Sequence, residues 1–199
     1  MAGLDEDAVD EILYLARANE PAELASYLSE LSTQTKRASA DLVAAAMDPY
    51  SKNGALHYAA ANGHNEVIKL LFSLGGDKPA PALINAVNEA GNTPLHWAAL
   101  NGQLESVKLL IQSGADVTII NQAGHDAVFE AEINDRKEVV DWLLGAVAAL
   151  EKAIGCTGQS SRGTNEDIDE EHEQIIVRAG TAALDDASKQ MEDMKTRDG

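Results

Sequence analysis

The sequence predicts an all-α solenoid of stacked helix–turn–helix repeats. Three observations carry that prediction. Residues 91–102, GNTPLHWAALNG, combine a helix-start signal, small apolar residues at helical spacing and a closing glycine. Partial copies of this segment lie before and after it. Behind the copies run further amphipathic stretches that read as second helices.

The units can be justified in chain order. In the first, residues 12–19 (ILYLARAN) match the first helix of the pattern without its turn, and Leu24, Tyr27, Leu28 and Leu31 continue as a second helix. A terminal repeat is expected to deviate, because its outer face meets water. In the second, residues 56–63 align with residues 95–102. Gly54 stands where the capping threonine should be and Ala55 where the proline should be, so this helix starts less firmly, at a cost of about a few tenths of a kcal/mol. Its second helix is read at residues 66–73, with Val67, Ile68, Leu70 and Leu71 as the apolar set.

The third unit is the best formed. Thr93 suits the N-cap, since its hydroxyl can accept from a free N–H of the first turn. Pro94 suits the first helical position, where no N–H is needed. Leu95, Ala98 and Ala99 let two helices approach closely, and Gly102 ends the helix where positive φ favours glycine. Residues 104–112 form the second helix, with Val107, Leu109, Leu110 and Ile111 inward, and Gly114 breaks it. In the fourth unit, residues 124–131 align with residues 91–98. Asp126 takes the capping role and Phe129 stands at the motif histidine. Asn134-Asp135 replaces the closing glycine, with asparagine the usual left-handed substitute. Val139, Val140, Trp142, Leu143 and Leu144 make the last second helix, on which Trp142 reads as core or as packing for the tail.

Phe129 follows His96 by 33 residues, the ankyrin period, and His96 follows His57 by 39. One connection therefore carries six extra residues, placed at 75–86, where Gly75, Gly76, Pro79 and Pro81 mark an irregular path. The predicted fold is an all-α ankyrin-repeat solenoid of about four repeats at residues 1–154, with an acidic C-terminal extension at residues 155–199 that ends in a helix. Residues 155–163 read as a flexible linker, and residues 165–173 concentrate acidic groups. From residue 174 to 194 helical periodicity returns, weakened by Gly180. That helix either caps the last repeat or, with the acidic run, clasps a partner, and the two are compatible.

The net charge is −18. It is shared between the repeats, with 10 basic and 22 acidic residues at 1–154, and the tail, with 5 and 11. This balance argues against nucleic acid as a direct ligand, because phosphates are repelled, and favours a basic protein partner reached by steered association. No apolar run is long enough to span a bilayer and no signal-peptide pattern is present. Cys156 is the single cysteine, so a disulfide framework is excluded and a reducing, intracellular compartment is expected.

Catalysis is not expected. His57 and His96 stand where a histidine fixes the neighbouring turn by hydrogen bonding. No nucleophile is spaced with a base, and neither an EF-hand loop nor a phosphate-cradling loop occurs. No metal or cofactor is expected. The turn tips and the first helices should instead form one binding groove. Its tip positions are Tyr50, Ser51, Asn53, Glu89, Ala90, Asn92, Gln122, Ala123 and His125. Its helix positions are Arg17, Tyr58, Ala61, Asn62, Trp97, Leu100, Asn101, Glu130, Ile133 and Asn134. Trp97, expected at an exposed helical position, is the strongest hot-spot candidate. Leu100 and Ile133 are apolar where polar residues are commoner, which suits a helix laid in the groove.

GNTPLHWAALNGQLESVKLL, the divergent GHDAVFEAE, the acidic linker and the alanine-rich C-terminal helix together resemble the small fungal ankyrin-repeat chaperones of ribosomal protein S-three. The TPLHWAA core is common to many ankyrin proteins, whereas GHDAVFEAE is the more specific piece. The resemblance spans nearly the whole chain. It implies a monomeric chaperone that binds a newly made, basic, KH-domain protein of the small ribosomal subunit one to one. It also implies that the client stays soluble and is escorted from cytoplasm to nucleus for assembly, meeting the import machinery through the client. An N-terminal client helix is then expected in the groove, with the acidic tail residues Glu166, Asp167, Asp169, Glu170 and Glu171 against the client's basic face. The alternative of a different class is an ankyrin regulator or adaptor of a non-ribosomal enzyme or signalling factor, whose binding would scarcely vary with salt.

Overall fold

The computed structural model describes residues 4–75 and 81–153. The acidic run, the C-terminal helix expected after residue 174 and Cys156 lie outside the described residues. The described residues divide into two units, one ending at Asp141 and the other beginning at Trp142. Among the described residues there are ten helices, in the order α1 (Glu6–Ala18), α2 (Pro21–Thr35), α3 (Ser39–Ala45), α4 (Ala55–Asn62), α5 (Asn65–Ser73), α6 (Pro81–Ile84), α7 (Pro94–Asn101), α8 (Leu104–Gln112), α9 (Ala127–Ile133) and α10 (Lys137–Ala153). The first helices of successive repeats lie side by side: α1 on α4, α4 on α7 and α7 on α9. The second helices α2, α5 and α8 form the layer behind them.

Small residues make the first layer possible. Ala16 in α1, Ala59 and Ala60 in α4, Ala98 and Ala99 in α7, and Ala127 and Ala131 in α9 are all buried, with Leu15, Leu56 and Leu95 buried beside them in α1, α4 and α7. In α5 and α8 the buried stripe is narrower than the sequence suggests. Val67, Ile68, Leu71, Val107 and Leu110 are buried, while Leu70, Leu109 and Ile111 are only half-buried. The buried Ser106 hydroxyl ties the two helices by donating to Asn65 Oδ1 at 2.8 Å. In α10, Val139, Trp142 and Leu143 are buried, and Leu144 is exposed, not packed as its apolar character suggests.

The helix ends follow local chemistry. Thr93 accepts from His96 N–H, and Pro94 occupies the first turn of α7. Asp126 accepts from Phe129 N–H at 2.8 Å. Asn19, Gly63 and Gly102 close α1, α4 and α7 in the left-handed conformation. The equivalent residue after α9 is Asp135, at φ 56, not Asn134, which sits at φ −102. Asn134 turns its amide back onto the Glu130 carbonyl instead. Gly102 has a second reason to be glycine, because a Cβ there would meet the Arg136 side chain at 2.8 Å.

Two short helices depart from the sequence reading. α3 follows the first repeat and buries Leu42 and Val43, with the buried Ala46 just past its end. α6 lies within the connection read as irregular and buries Ile84.

Candidate partner-binding groove

The groove is built on three stacked turns. Within each, one side chain holds the loop. Asp48 Oδ1 accepts from the N–H groups of Tyr50 and Ser51. Asn88 Oδ1 accepts from those of Ala90 and Asn92, and Asn121 Oδ1 from those of Ala123 and His125. The Ser51 N–H bond is the main reason the Asp48 carboxyl is held below its ordinary pKa.

Between turns, the links run edge to edge. Glu89 N–H donates to Ser51 O and Gln122 N–H to Ala90 O. Asn88 Nδ2 donates to Asn53 Oδ1 at 2.8 Å, and Asn121 Nδ2 to Asn92 Oδ1 at 2.7 Å. Gly91 sits at this junction with φ +77, and a Cβ there would lie 2.9 Å from the Gln122 nitrogen, so both conformation and space require glycine.

The motif histidines lock each turn to the repeat before it. His57 Nδ1 faces Gly54 N–H and so accepts, which leaves Nε2–H to donate to the Asn92 carbonyl at 3.1 Å. His96 repeats this arrangement, with Nδ1 on Thr93 N–H and Nε2 donating to His125 O. The role expected from the sequence is the one observed. Burial lowers the His57 pKa from 6.5 to about 4 and lowers that of His96 as well. The folded state thus keeps a neutral ring where the unfolded chain takes up a proton. The stability that the neutral His57 ring contributes is full above pH 6.5 and is lost as pH falls from 6.5 towards 4. The difference in unfolding free energy between wild type and His57→Gln should therefore narrow by about 2–3 kcal/mol between neutral pH and a pH of about 4.5. Urea titrations of both proteins across that range check it, and taking their difference cancels the shared titration of the carboxylates.

Beside the ladder lies an open groove lined by Tyr50, Ser51, Asn53, Asn88, Glu89, Ala90, Asn92, Trp97 and Gln122. All but Asn88 are positions read from the sequence. Tyr50 is 88% exposed, and Glu89 is exposed with its main chain tied into the ladder. Asn53 and Asn92 are half-buried, with their side-chain oxygens already engaged. On the helices, Arg17 lies over the Tyr58 ring, Ile133 is exposed, and Ala61 and Leu100 are half-buried.

Several expectations are corrected. Trp97 is half-buried, not exposed, and its Nε1 is enclosed without an acceptor. Glu130 does not face the groove. It is buried, accepting from Asn121 Nδ2 at 2.8 Å and lying 3.1 Å from His125 Nδ1. His125 lies at the tip as expected, half-buried, with its ring centroid 4.4 Å from that of Phe129. Asn62, Asn101 and Asn134 keep their places on the first helices, with Asn62 exposed and the other two half-buried; each donates one amide N–H to a carbonyl one turn back, on Tyr58, Trp97 and Glu130. Asn88 and Asn121 are what sequence reasoning missed as turn-holding residues. Their spacing equals the period from His96 to Phe129, which is the signal that could have found them. Among the described residues no cluster of three or more His, Cys, Asp or Glu is arranged to hold a metal.

Comparison with known proteins agrees with this architecture. The model for ankyrin repeats (3 copies) matches residues 12–121 and again 56–153. The chain is similar to the ankyrin repeat-containing protein Yar1 of Saccharomyces cerevisiae, 38% identical over 146 residues, or 71% of this chain and 70% of the relative. It is also similar to a chain in the crystal structure of the yeast ribosomal protein Rps3 in complex with its chaperone Yar1. That match has a TM-score of 0.64 and 38% identity, and covers 71% of this chain and 94% of the other. With capped helix pairs, histidine-locked turns and family-model matches that extend over most of its length, the chain belongs to the ankyrin-repeat family.

Proposed function

We propose that this protein is a dedicated, non-enzymatic chaperone of the small-subunit ribosomal protein Rps3. The observation that carries the reading is the 38% identity to Yar1 over 146 residues, the same likeness that appears in the Rps3–Yar1 structure. The physics is compatible. A free ribosomal protein exposes basic surface meant for RNA phosphates, and a chain of net charge −18 can shield it. The groove offers the mixed character an amphipathic client segment needs. Trp97, Tyr58, Leu100 and Ile133 supply apolar and aromatic contact, and Tyr50 and Glu89 a polar rim. The tail carboxylates of Glu166, Asp167, Asp169, Glu170 and Glu171 add charge against the client's basic face. The complex is proposed to be one to one and to form in the cytoplasm, with escort of the client to the nucleus as its purpose.

Calorimetric titration of the full chain with purified Rps3 at rising salt tests this. Saturable binding at equal amounts, weakening as salt rises, is the expected result. Absence of binding at low salt would overturn the proposal. Recovery of a non-basic enzyme or signalling factor from extract, held independently of salt, would point to an ankyrin regulator instead.

A further inference from the structure

We propose that Arg17 is a built-in occupant of a guanidinium site on the Tyr58 ring, and that an arginine of the client displaces it. The inference rests on the chaperone reading for the identity of the client. The site itself rests on geometry. The Arg17 guanidinium carbon lies 4.3 Å from the centroid of the Tyr58 ring, close enough for a cation–π contact. In a chain with 33 acidic residues, this exposed arginine makes no ion pair among the described residues and covers an aromatic face instead. Asp48 adds a negative field, since Arg17 contributes to lowering the Asp48 pKa.

The repeat register shows why the position is unusual. Arg17, Ala61, Leu100 and Ile133 each stand two residues before the left-handed residue that closes a first helix: Asn19, Gly63, Gly102 and Asp135. Three members of that column are apolar, and the first is a cation. Tyr14, Tyr58 and Trp97 each stand five residues before the same closures, so aromatic rings recur at one position on three successive first helices. Tyr14 is 62% exposed and Tyr58 is half-buried. An aromatic column on an acidic protein suits arginine side chains, and Tyr58 already holds one from its own chain. The Arg17 main chain has a separate duty, because its carbonyl is bonded by His64 Nε2 at 2.9 Å. The side chain can therefore be removed without breaking that link.

Two titrations decide the matter. In the first, N-acetyl-arginine amide is added while the Tyr58 ring resonances are followed by NMR. Arg17→Ala should respond at several-fold lower concentration than wild type, and an unresponsive Tyr58 in that variant would overturn the site. In the second, Rps3 should bind Arg17→Ala about two- to fivefold more tightly than wild type, the scale of an exposed cation–π contact. With Tyr58→Leu in place, removing Arg17 should bring no gain. Unchanged or weaker binding of Arg17→Ala, or a gain that persists without the Tyr58 ring, would show that Arg17 merely bridges two helices or repels the client. Failure of wild type to bind Rps3 at all would overturn the chaperone reading, and the arginine amide titration would still decide the site.

Discussion

Replacing Asn121 by alanine is expected to lower the unfolding free energy by about 3–5 kcal/mol, a large share of the stability of a domain this size. One small amide makes four hydrogen bonds at a position only 7% exposed. Its oxygen accepts from the N–H groups of Ala123 and His125, both at 3.0 Å. Its nitrogen donates to Asn92 Oδ1 at 2.7 Å and to Glu130 Oε1 at 2.8 Å. Alanine would leave two loop N–H groups unpaired and would withdraw a donor from a buried carboxylate, which costs more than the bonds themselves contribute. Asn121→Asp separates the two roles. It keeps the acceptor for the loop but sets a second carboxylate against Glu130, so its defect should ease as pH falls, whereas that of Asn121→Ala should not. Urea unfolding followed by circular dichroism reads both, and a loss under about 1 kcal/mol for the alanine variant would refute the account.

Trp97→Ala is expected to weaken Rps3 binding by about 2 kcal/mol, on the order of thirtyfold, while the repeats stay folded. The indole belongs to the groove wall with Tyr50, Asn53, Glu89 and Asn92. Its Nε1 is enclosed without an acceptor, so packing seats the ring and no hydrogen bond orients it. Trp97→Phe therefore removes an unpaired donor along with part of the contact area, and should retain most of the affinity. Calorimetry with Rps3, with a thermal melt of each variant as control, checks the pair. Affinity of Trp97→Ala within twofold of wild type would remove Trp97 from the contact surface.

The repeat architecture was legible because its signals are local and recur. Thr93, Asp126, Gly63 and Gly102 do what their chemistry requires wherever they fall in the period. The misread residues are those whose role is decided across turns. Glu130 shares its register with the ring of Trp97, which suggested the groove, but the Asn121 amide draws its carboxylate inward. Asn134 looked like the left-handed residue, yet the period assigns that conformation to Asp135, and counting from Gly102 would have shown it. α3 lacked any advance signal. Its N-cap is Ala38, which offers no side-chain hydrogen bond, and the helix is fixed by burying Leu42 and Val43.

The histidine locks have a direction. His57 holds the carbonyl of Asn92 and His96 that of His125, so each ring serves a turn that comes later in the chain. Asn53, Ser51 and Ala90 likewise present acceptors to donors that follow them. A ribosome releases a chain from its N-terminus onward. Each new turn therefore emerges after the groups that will hold it, and the bonds between turns can form in the order in which the chain appears.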